Sequence, residues 1–425
     1  MTVLIAGGGI AGLSLGLTLH QIGVPFRIFE ATRQIRPLGV GINLQPNAVR
    51  ELFDLGLQPA LDSIAVRTQQ YGFYSKHGLK IWEEPRGLLA GYDWPQYSVH
   101  RGKLQMMLYE TLIARAGPAC VVTGQRAMGF ETRASQVVLQ LEDIETGARS
   151  DVTGDILIGA DGIHSSIRSR IFPEEGPPIW GGAILWRATS QAKPFFGQGA
   201  MALIGHDTKR IVAYPISPPD PVSGLVTMNW IAELRVDPAG GWNKEDWNRA
   251  ADTSDFLPEF EDWVFDWLDV PALIKGADAV FEYPMVDRDP LDAWTHGPVT
   301  LMGDAAHPTY PVGSNGATQA IVDARVLGAA LLEHGVTPRA LQSYEDQMRP
   351  LTTGVIRANR GSGPDAILQK VEDLCGGQFD DINDVIPHAD LADHAAKYKA
   401  VAGFSIEALN ARPSLIPNGA KLIYS

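Results

Sequence analysis

Cysteine is almost absent. The 425 residues hold two, Cys120 and Cys375, far apart and without metal-ligand spacing around either. That excludes a disulfide framework and a thiolate metal centre, and leaves two free thiols in a reducing compartment as the expectation. Positive charge is also in deficit: 35 Lys and Arg stand against 49 Asp and Glu, a net charge of −14. Nucleic acid is held through clustered cations, so it is not an expected partner. No stretch approaches the roughly 18 consecutive apolar residues that cross a bilayer, so no membrane association is expected. The strand-like run Thr2–Ala6 begins at once and leaves no room for a leader; a soluble, cytoplasmic protein is the expectation. Internal repeats and low-complexity segments are missing as well.

What is present is an ordinary globular composition, 45% hydrophobic and 20% charged. A chain of this length is too long for one simple core, so two domains and a tail are expected. The N-terminal part reads as strand Thr2–Ala6, helix Ala11–His20 and strand Pro25–Glu30. Leu13, Leu15, Leu17 and Leu19 alternate with small residues, giving a helix apolar on most sides, as one packed tightly on a sheet requires. A strand–helix–strand unit of this length pairs its strands in parallel. From about 65 to 95 the pattern changes to short aromatic runs suited to antiparallel hairpins, and helical spacing returns at Lys103–Leu108. Asp155–Ala160 reads as a strand, and Gly181–Thr189, Ile211–Ile216 and Leu225–Leu234 read as further strands separated by turns such as Ser217–Pro221. Thr253–Leu268 has helical spacing, with Trp263 and Trp267 one turn apart as packing residues. Val299–Met302 is a strand, Ala317–His334 a helix, and the chain beyond 360 reads as helical and polar.

The expected fold is α/β (α+β overall). A Rossmann-like dinucleotide-binding domain (1–70, 98–175 and 284–360) is interrupted by a mostly antiparallel β-sheet domain (71–97 and 176–283), and a helical segment (361–425) follows.

Three segments carry chemistry. Gly7, Gly9 and Gly12 form G-x-G-x-x-G between a strand and a helix. The first makes the tight turn, the second admits a pyrophosphate, and the third lets the helix pack closely, its N-terminal amides facing the anion. Glu30 ends the second strand, where a carboxylate accepts from ribose hydroxyls. This unit fits NAD and FAD equally. Asp161-Gly162 ends a later strand, and by itself reads as a turn. In Gly303–Ala317 a carboxylate, Asp304, follows a strand, and a Pro- and Gly-rich loop feeds a helix start. Asp304 suits a polyol hydroxyl, and the Gly313–Ala317 amides suit a ring edge that becomes anionic on reduction. A plain loop with a helix cap is the alternative.

These motifs, in this order (G-x-G-x-x-G, then Asp161-Gly162-x-x-Ser165-x-x-Arg168, then Gly303-Asp304-Ala305-Ala306-His307-Pro308), resemble those of the class A, single-component FAD-dependent aromatic hydroxylases with the para-hydroxybenzoate hydroxylase fold. The resemblance covers about residues 1–360, and Arg101 matches the family's flavin-binding arginine. The loop Tyr310–Ala320 and the tail Ala408–Pro413 are most similar to the phenazine-modifying branch. The resemblance implies bound FAD, NADPH or NADH as a transient reductant, and hydroxylation of a small aromatic or heteroaromatic substrate by O2 through a flavin C4a-hydroperoxide. It assigns Glu30 to the adenosine ribose, and Arg101 and Asp304 to the phosphate and ribityl chain. Asp161 is another cofactor contact, Val40 and Gly41 line the flavin, and Pro311, Gly313, Asn315, Gly316 and Ala317 meet its N1 and O2 edge. No second G-x-G-x-x-G occurs, so the nicotinamide is expected on the flavin domain, with the flavin moving between positions.

Substrate is expected between flavin and β-domain. Candidate lining residues are Trp186, Arg187, Met201, Tyr214, Met228 and Trp230, with Tyr310 and Pro311 on the flavin loop; for each aromatic the alternative is core packing. Arg187 is a candidate for an anionic group or an exposed strand arginine. Tyr214 and His206 are candidates for deprotonating a phenol, with a structural or surface role as the alternative. His307 reads as a structural residue of the loop. A flavin oxidoreductase without oxygen insertion, and a flavin-dependent halogenase, are the competing enzymes. The halogenase signature W-x-W-x-I-P is missing, and Trp263–Trp267 does not replace it. A binding protein that lost the cofactor is disfavoured by the intact Asp304 loop. Monomer and homodimer are both compatible.

Overall fold

The computed structural model describes residues 1–133, 136–236, 249–361 and 363–423. Its first strand, Val3–Ala6, is buried at every position, which places it inside a sheet covered on both faces. That sheet is parallel, in the order Val299–Leu301, Ile156–Gly159, Val3–Ala6, Phe26–Glu30, Val121–Thr123. The Ile10–Ile22 helix buries eleven of its residues and packs against helices Arg101–Ala116 and Gly316–His334. One large core runs through all of them.

The second sheet has eight strands, running from Arg249–Ala250 through Phe281–Asp287, Ile179–Ala192, Val226–Arg235, Lys209–Pro215, Ala200–His206 and Gln70–Tyr74 to Lys80–Pro85. All neighbours are antiparallel except Ala200–His206 with Gln70–Tyr74, which are parallel. Asn229 of this sheet accepts from the Gly41 amide at 2.6 Å, and Arg187 donates to the Gly41 carbonyl at 3.1 Å. Those two bonds fix this sheet against the strand Gly41–Leu44, which belongs to a three-stranded sheet with Gln96–His100 and Ala65–Thr68.

Two segments differ from the sequence reading. Thr253–Leu268 is not a helix: two 3-10 turns, Thr253–Asp255 and Leu257–Phe260, lead to a hairpin of Val264–Phe265 and Leu268–Asp269. The Asp252 carboxylate accepts from the Ser254 amide and closes a 3-10 turn in place of a helical one, while Asp269 caps the next helix, Val270–Lys275. The broken path also lets Phe256, Phe260 and Trp263 all enter the core behind the sheet. The segment 125–154, unread in the sequence, forms a three-stranded antiparallel sheet whose Val137, Leu139 and Leu141 join the main core.

Beyond 360 come helices Ala366–Cys375, His388–Val401 and Ile406–Ala411. The tail then returns to the first domain, where Arg50 donates to the Pro413 carbonyl and the Leu422 amide to the Ile22 carbonyl. Among the described residues no helix is long and apolar enough to cross a membrane.

Candidate functional site

A continuous cavity of about 810 Å³ runs from the N-terminal glycine turn to the concave face of the eight-stranded sheet. At its first end Gly7 and Gly9 border the start of the Ile10–Ile22 helix. Glu30 braces this turn, one carboxylate oxygen accepting from the Gly8 amide at 2.7 Å and the other from the Thr32 amide at 2.8 Å. Gln105, which the sequence reading missed, donates to the Gly8 carbonyl at 2.9 Å and accepts from Arg101 at 3.3 Å. Its signal was its position one helical turn after Arg101.

The second and third motifs form one mechanical unit. Asp161 accepts from the Ser165 and Ser166 hydroxyls and the Ser166 and Ile167 amides, thereby capping the helix Ser166–Ile171. Burial pushes its carboxyl pKa up, and the serine bonds oppose that. The same helix carries Arg168, whose guanidinium donates to the Ala305 and Ala306 carbonyls, both at 3.0 Å, and to Glu175. Asp304 is thereby held with its carboxylate open to the cavity. Its pKa is raised by its deep setting, with His307 and Arg101 pulling it back. Behind it, Asp323 accepts from the Gly303 amide at 3.0 Å and from His307 at 2.7 Å. Burial opposes the charge on His307, yet Asp323 prevails and raises its pKa, so His307 is a structural member of the loop.

The loop ahead of the Gly316–His334 helix turns through two left-handed residues, Gly313 and Ser314. Asn315 donates to the Tyr398 hydroxyl at 2.6 Å, while its own buried Oδ1 has no partner among the described residues. The dinucleotide implied by the sequence fits these surroundings. At Gly9 the space a Cβ would take is empty of protein, which leaves room for a phosphate at a helix start.

Of the sequence candidates, Gly7, Gly9, Glu30, Gly41, Arg101, Asp161, Asp304, Pro311, Gly313, Asn315, Gly316 and Ala317 all border this cavity, as do Arg187, Met201 and Tyr214. Seven do not. Gly12 serves packing, since a Cβ there would sit 2.0 Å from the Gly7 carbonyl oxygen. Val40 is buried and accepts from the Arg101 amide. Tyr310 packs with Leu185, Ile231 and Met285. His206 lies at a strand end, bonded to the Thr208 hydroxyl at 3.1 Å. Trp186, Met228 and Trp230 are on the far face of the sheet, where Trp186 stacks on Phe256 and Trp230 donates to Ser190.

The reason is strand alternation. Arg187 faces the cavity, so Trp186 cannot. On the neighbouring strands the inward residues are Ile231 and Glu233, then Arg210, Val212 and Tyr214. Arg210, Glu233 and Tyr71 were legible from that parity and were missed. Burial, opposed by Arg187, pushes the Tyr214 hydroxyl up to about 12, so it faces the cavity as a neutral hydroxyl, able to donate a hydrogen bond, at neutral pH.

The family model described as FAD binding domain matches residues 1–359. The chain is 41% identical over 362 residues to the phenazine 1,6-dicarboxylic acid hydroxylase PhzS of Lysobacter antibioticus, covering 84% of this chain and 89% of that one. It is 29% identical to a salicylate hydroxylase of Pseudomonas putida, covering 88% of this chain and 89% of that one. Among solved structures, Klebsiella pneumoniae HpxO complexed with FAD and uric acid superposes with a TM-score of 0.72 at 21% identity, covering 96% of each chain.

Proposed function

We propose, since this chain belongs to the FAD binding domain family and is an FAD-dependent aromatic monooxygenase, that its substrate is a planar aromatic or heteroaromatic acid anchored by Arg187. One observation carries the reading. The Arg187 guanidinium is set in the cavity wall with Leu185, Ile231 and Val212, donates to the Gly41 carbonyl, and has no hydrogen-bond partner for its Nε among the described residues. Its setting in the cavity wall lowers its pKa, and a bound carboxylate would stabilise that charge directly. A carboxylate suits it, and the Tyr214 hydroxyl beside it donates to the same group or to a ring oxygen.

FAD, once reduced by NAD(P)H, supplies activated oxygen for insertion into the ring. The chain's own work is to bind, orient and keep water out. Glu30 and Gln105 support the turn for the pyrophosphate, with Glu30 toward the adenosine ribose. Arg101 and Asp304 take the phosphate and ribityl chain, and the Gly313–Ala317 amides face the ring edge that gains negative charge. Apolar side chains of the concave sheet exclude water from the oxygen-transfer region. The partners are then the aromatic acid, O2 and NAD(P)H. The net charge of −14 supports no role for nucleic acid.

With phenazine-1-carboxylate or salicylate as probe, one of them is expected to accelerate NADPH or NADH oxidation and to yield a product heavier by one oxygen atom. Peroxide as the sole oxygen product with every aromatic acid tried would favour the oxidoreductase without oxygen insertion. Arg187→Ala should weaken a carboxylated ligand at least about tenfold and leave unsubstituted phenazine unchanged. Asp304→Ala should weaken FAD retention by about tenfold, read as flavin absorbance per protein after dialysis; full occupancy would refute its assigned contact.

A further inference from the structure

The concave sheet turns a second charged group into the same cavity. Arg210 donates through Nε to Glu233 Oε1 at 2.8 Å and through Nη1 to Asp365. Arg210 and Glu233 are each 7% exposed, and all three residues line the cavity. Asp365 sits at the N-cap of the Ala366–Cys375 helix but makes no side-chain cap bond there; its carboxylate is directed to Arg210 instead. Both contacts of Arg210 with Glu233 fall on Oε1, which leaves Oε2 without a protein donor among the described residues. Burial pushes the Glu233 pKa up, and Arg210 only partly opposes this.

The spacing relates this cluster to Arg187. Arg187 pairs with Ile231, Ile231 with Val212, and Glu233 with Arg210. From Arg187 to Arg210 is thus two strands across and two residues along, roughly 12 Å between backbones. Ile231 and Val212 form an apolar floor between the two ends. A flat fused-ring molecule lying on that floor with a carboxylate at Arg187 brings its other end to Glu233.

That end carries one guanidinium against two carboxylates. Arg235, on the same strand as Glu233, also favours that carboxylate's charge, and Arg86 and Lys399 both pair with Glu84; none of these three cations lines the cavity. Another carboxylate arriving there meets like charge, whereas an O–H or N–H meets acceptors.

We infer that the Arg210–Glu233–Asp365 cluster reads the substrate's second end, accepting a hydrogen-bond donor (a hydroxyl, an amine or a protonated ring nitrogen) and rejecting a second carboxylate. This rests on the reading of Arg187 as the anchor of the first carboxylate. The relative named for a phenazine 1,6-dicarboxylic acid makes the second carboxylate the discriminating case.

The test titrates the FAD-loaded full chain with phenazine-1-carboxylate, its 6-amino derivative and phenazine-1,6-dicarboxylate, following the flavin absorbance change. The amino derivative is expected to bind at least about tenfold more tightly than the dicarboxylate, with the monoacid between them. Glu233→Gln, and independently Asp365→Asn should the first variant fold poorly, is expected to shrink that ratio to about threefold or less, mainly by tightening the dicarboxylate. A purely structural tie between sheet and helix would lower stability and leave the ratio unmoved, which overturns the inference. Tightest binding of the dicarboxylate by the unaltered protein overturns it too. Failure of all three ligands, the monoacid included, overturns the Arg187 reading and this one with it.

Discussion

Gly9→Ala is expected to fold like the unaltered protein and yet hold FAD roughly ten- to a hundredfold more weakly. Gly9 has φ −75° and ψ −173°, a conformation alanine adopts freely. A Cβ built there meets no protein atom within 4 Å. The added methyl therefore costs the apo-protein nothing and intrudes only where the pyrophosphate approaches the backbone, an overlap worth about 1–3 kcal/mol. Gly12→Ala should behave in the opposite way. Its Cβ would lie 2.0 Å from the Gly7 oxygen and 3.3 Å from Ile5, so the helix must lift and the thermal midpoint fall even without cofactor. Measuring flavin content and apo-protein melting for both variants separates the two roles. Unaltered flavin affinity in Gly9→Ala would remove the pyrophosphate from this turn.

Arg168→Ala is expected to destabilise the protein by about 3–5 kcal/mol, the range for leaving buried charge and acceptors unpaired. Arg168 is 1% exposed and donates to three backbone carbonyls, those of Ala305, Ala306 and Asp289, while pairing with Glu175. Its loss leaves Glu175 with Arg288 as its remaining cation, strips the buried Ala305 and Ala306 carbonyls of their shared donor, and frees the segment that carries Asp304. Lysine should not rescue it, because one ammonium cannot span a planar set of acceptors. Urea unfolding with and without FAD provides the check. A loss below about 1 kcal/mol would mean that the second and third motifs are not mechanically joined.

That joint explains what was readable in advance. The glycine turn, Asp161 and Asp304 stand in local strand–turn–helix units, where type and spacing are dictated by backbone geometry and phosphate chemistry. The helix Lys103–Leu108 and the strands near 185, 213 and 230 were legible through periodicity. The face of each strand was not, because Trp186 and Arg187 are both reasonable inward residues until the neighbouring strand is known. Bulk favoured the tryptophans as pocket lining, whereas the structure uses Trp186 and Trp230 for the core on the other face. Thr253–Leu268 went astray in the same way: two tryptophans one turn apart suggested a helix, whereas Asp252 caps a 3-10 turn and Val264–Phe265 pairs with Leu268–Asp269 as a hairpin. Asp365 was beyond reach, since only the folded chain brings it to Arg210 across 155 positions.

The strand order of the parallel sheet bears on how the chain is made. Four of its five strands, through Ile156–Gly159, emerge from the ribosome before the six strands of the second sheet that lie between 179 and 287, while the partner of Ile156–Gly159 is Val299–Leu301, roughly 140 residues later. At about 5–20 residues per second, translation leaves that fully buried strand as an open, apolar edge for about 7 to 28 seconds. The nascent chain thus presents a template for wrong pairing until its last sheet strand arrives. Because Asp304 follows that strand directly, the cofactor cavity is completed only after the sheet closes. Chaperone occupancy on ribosome-bound chains should accordingly peak between those two points and fall once the edge is sealed.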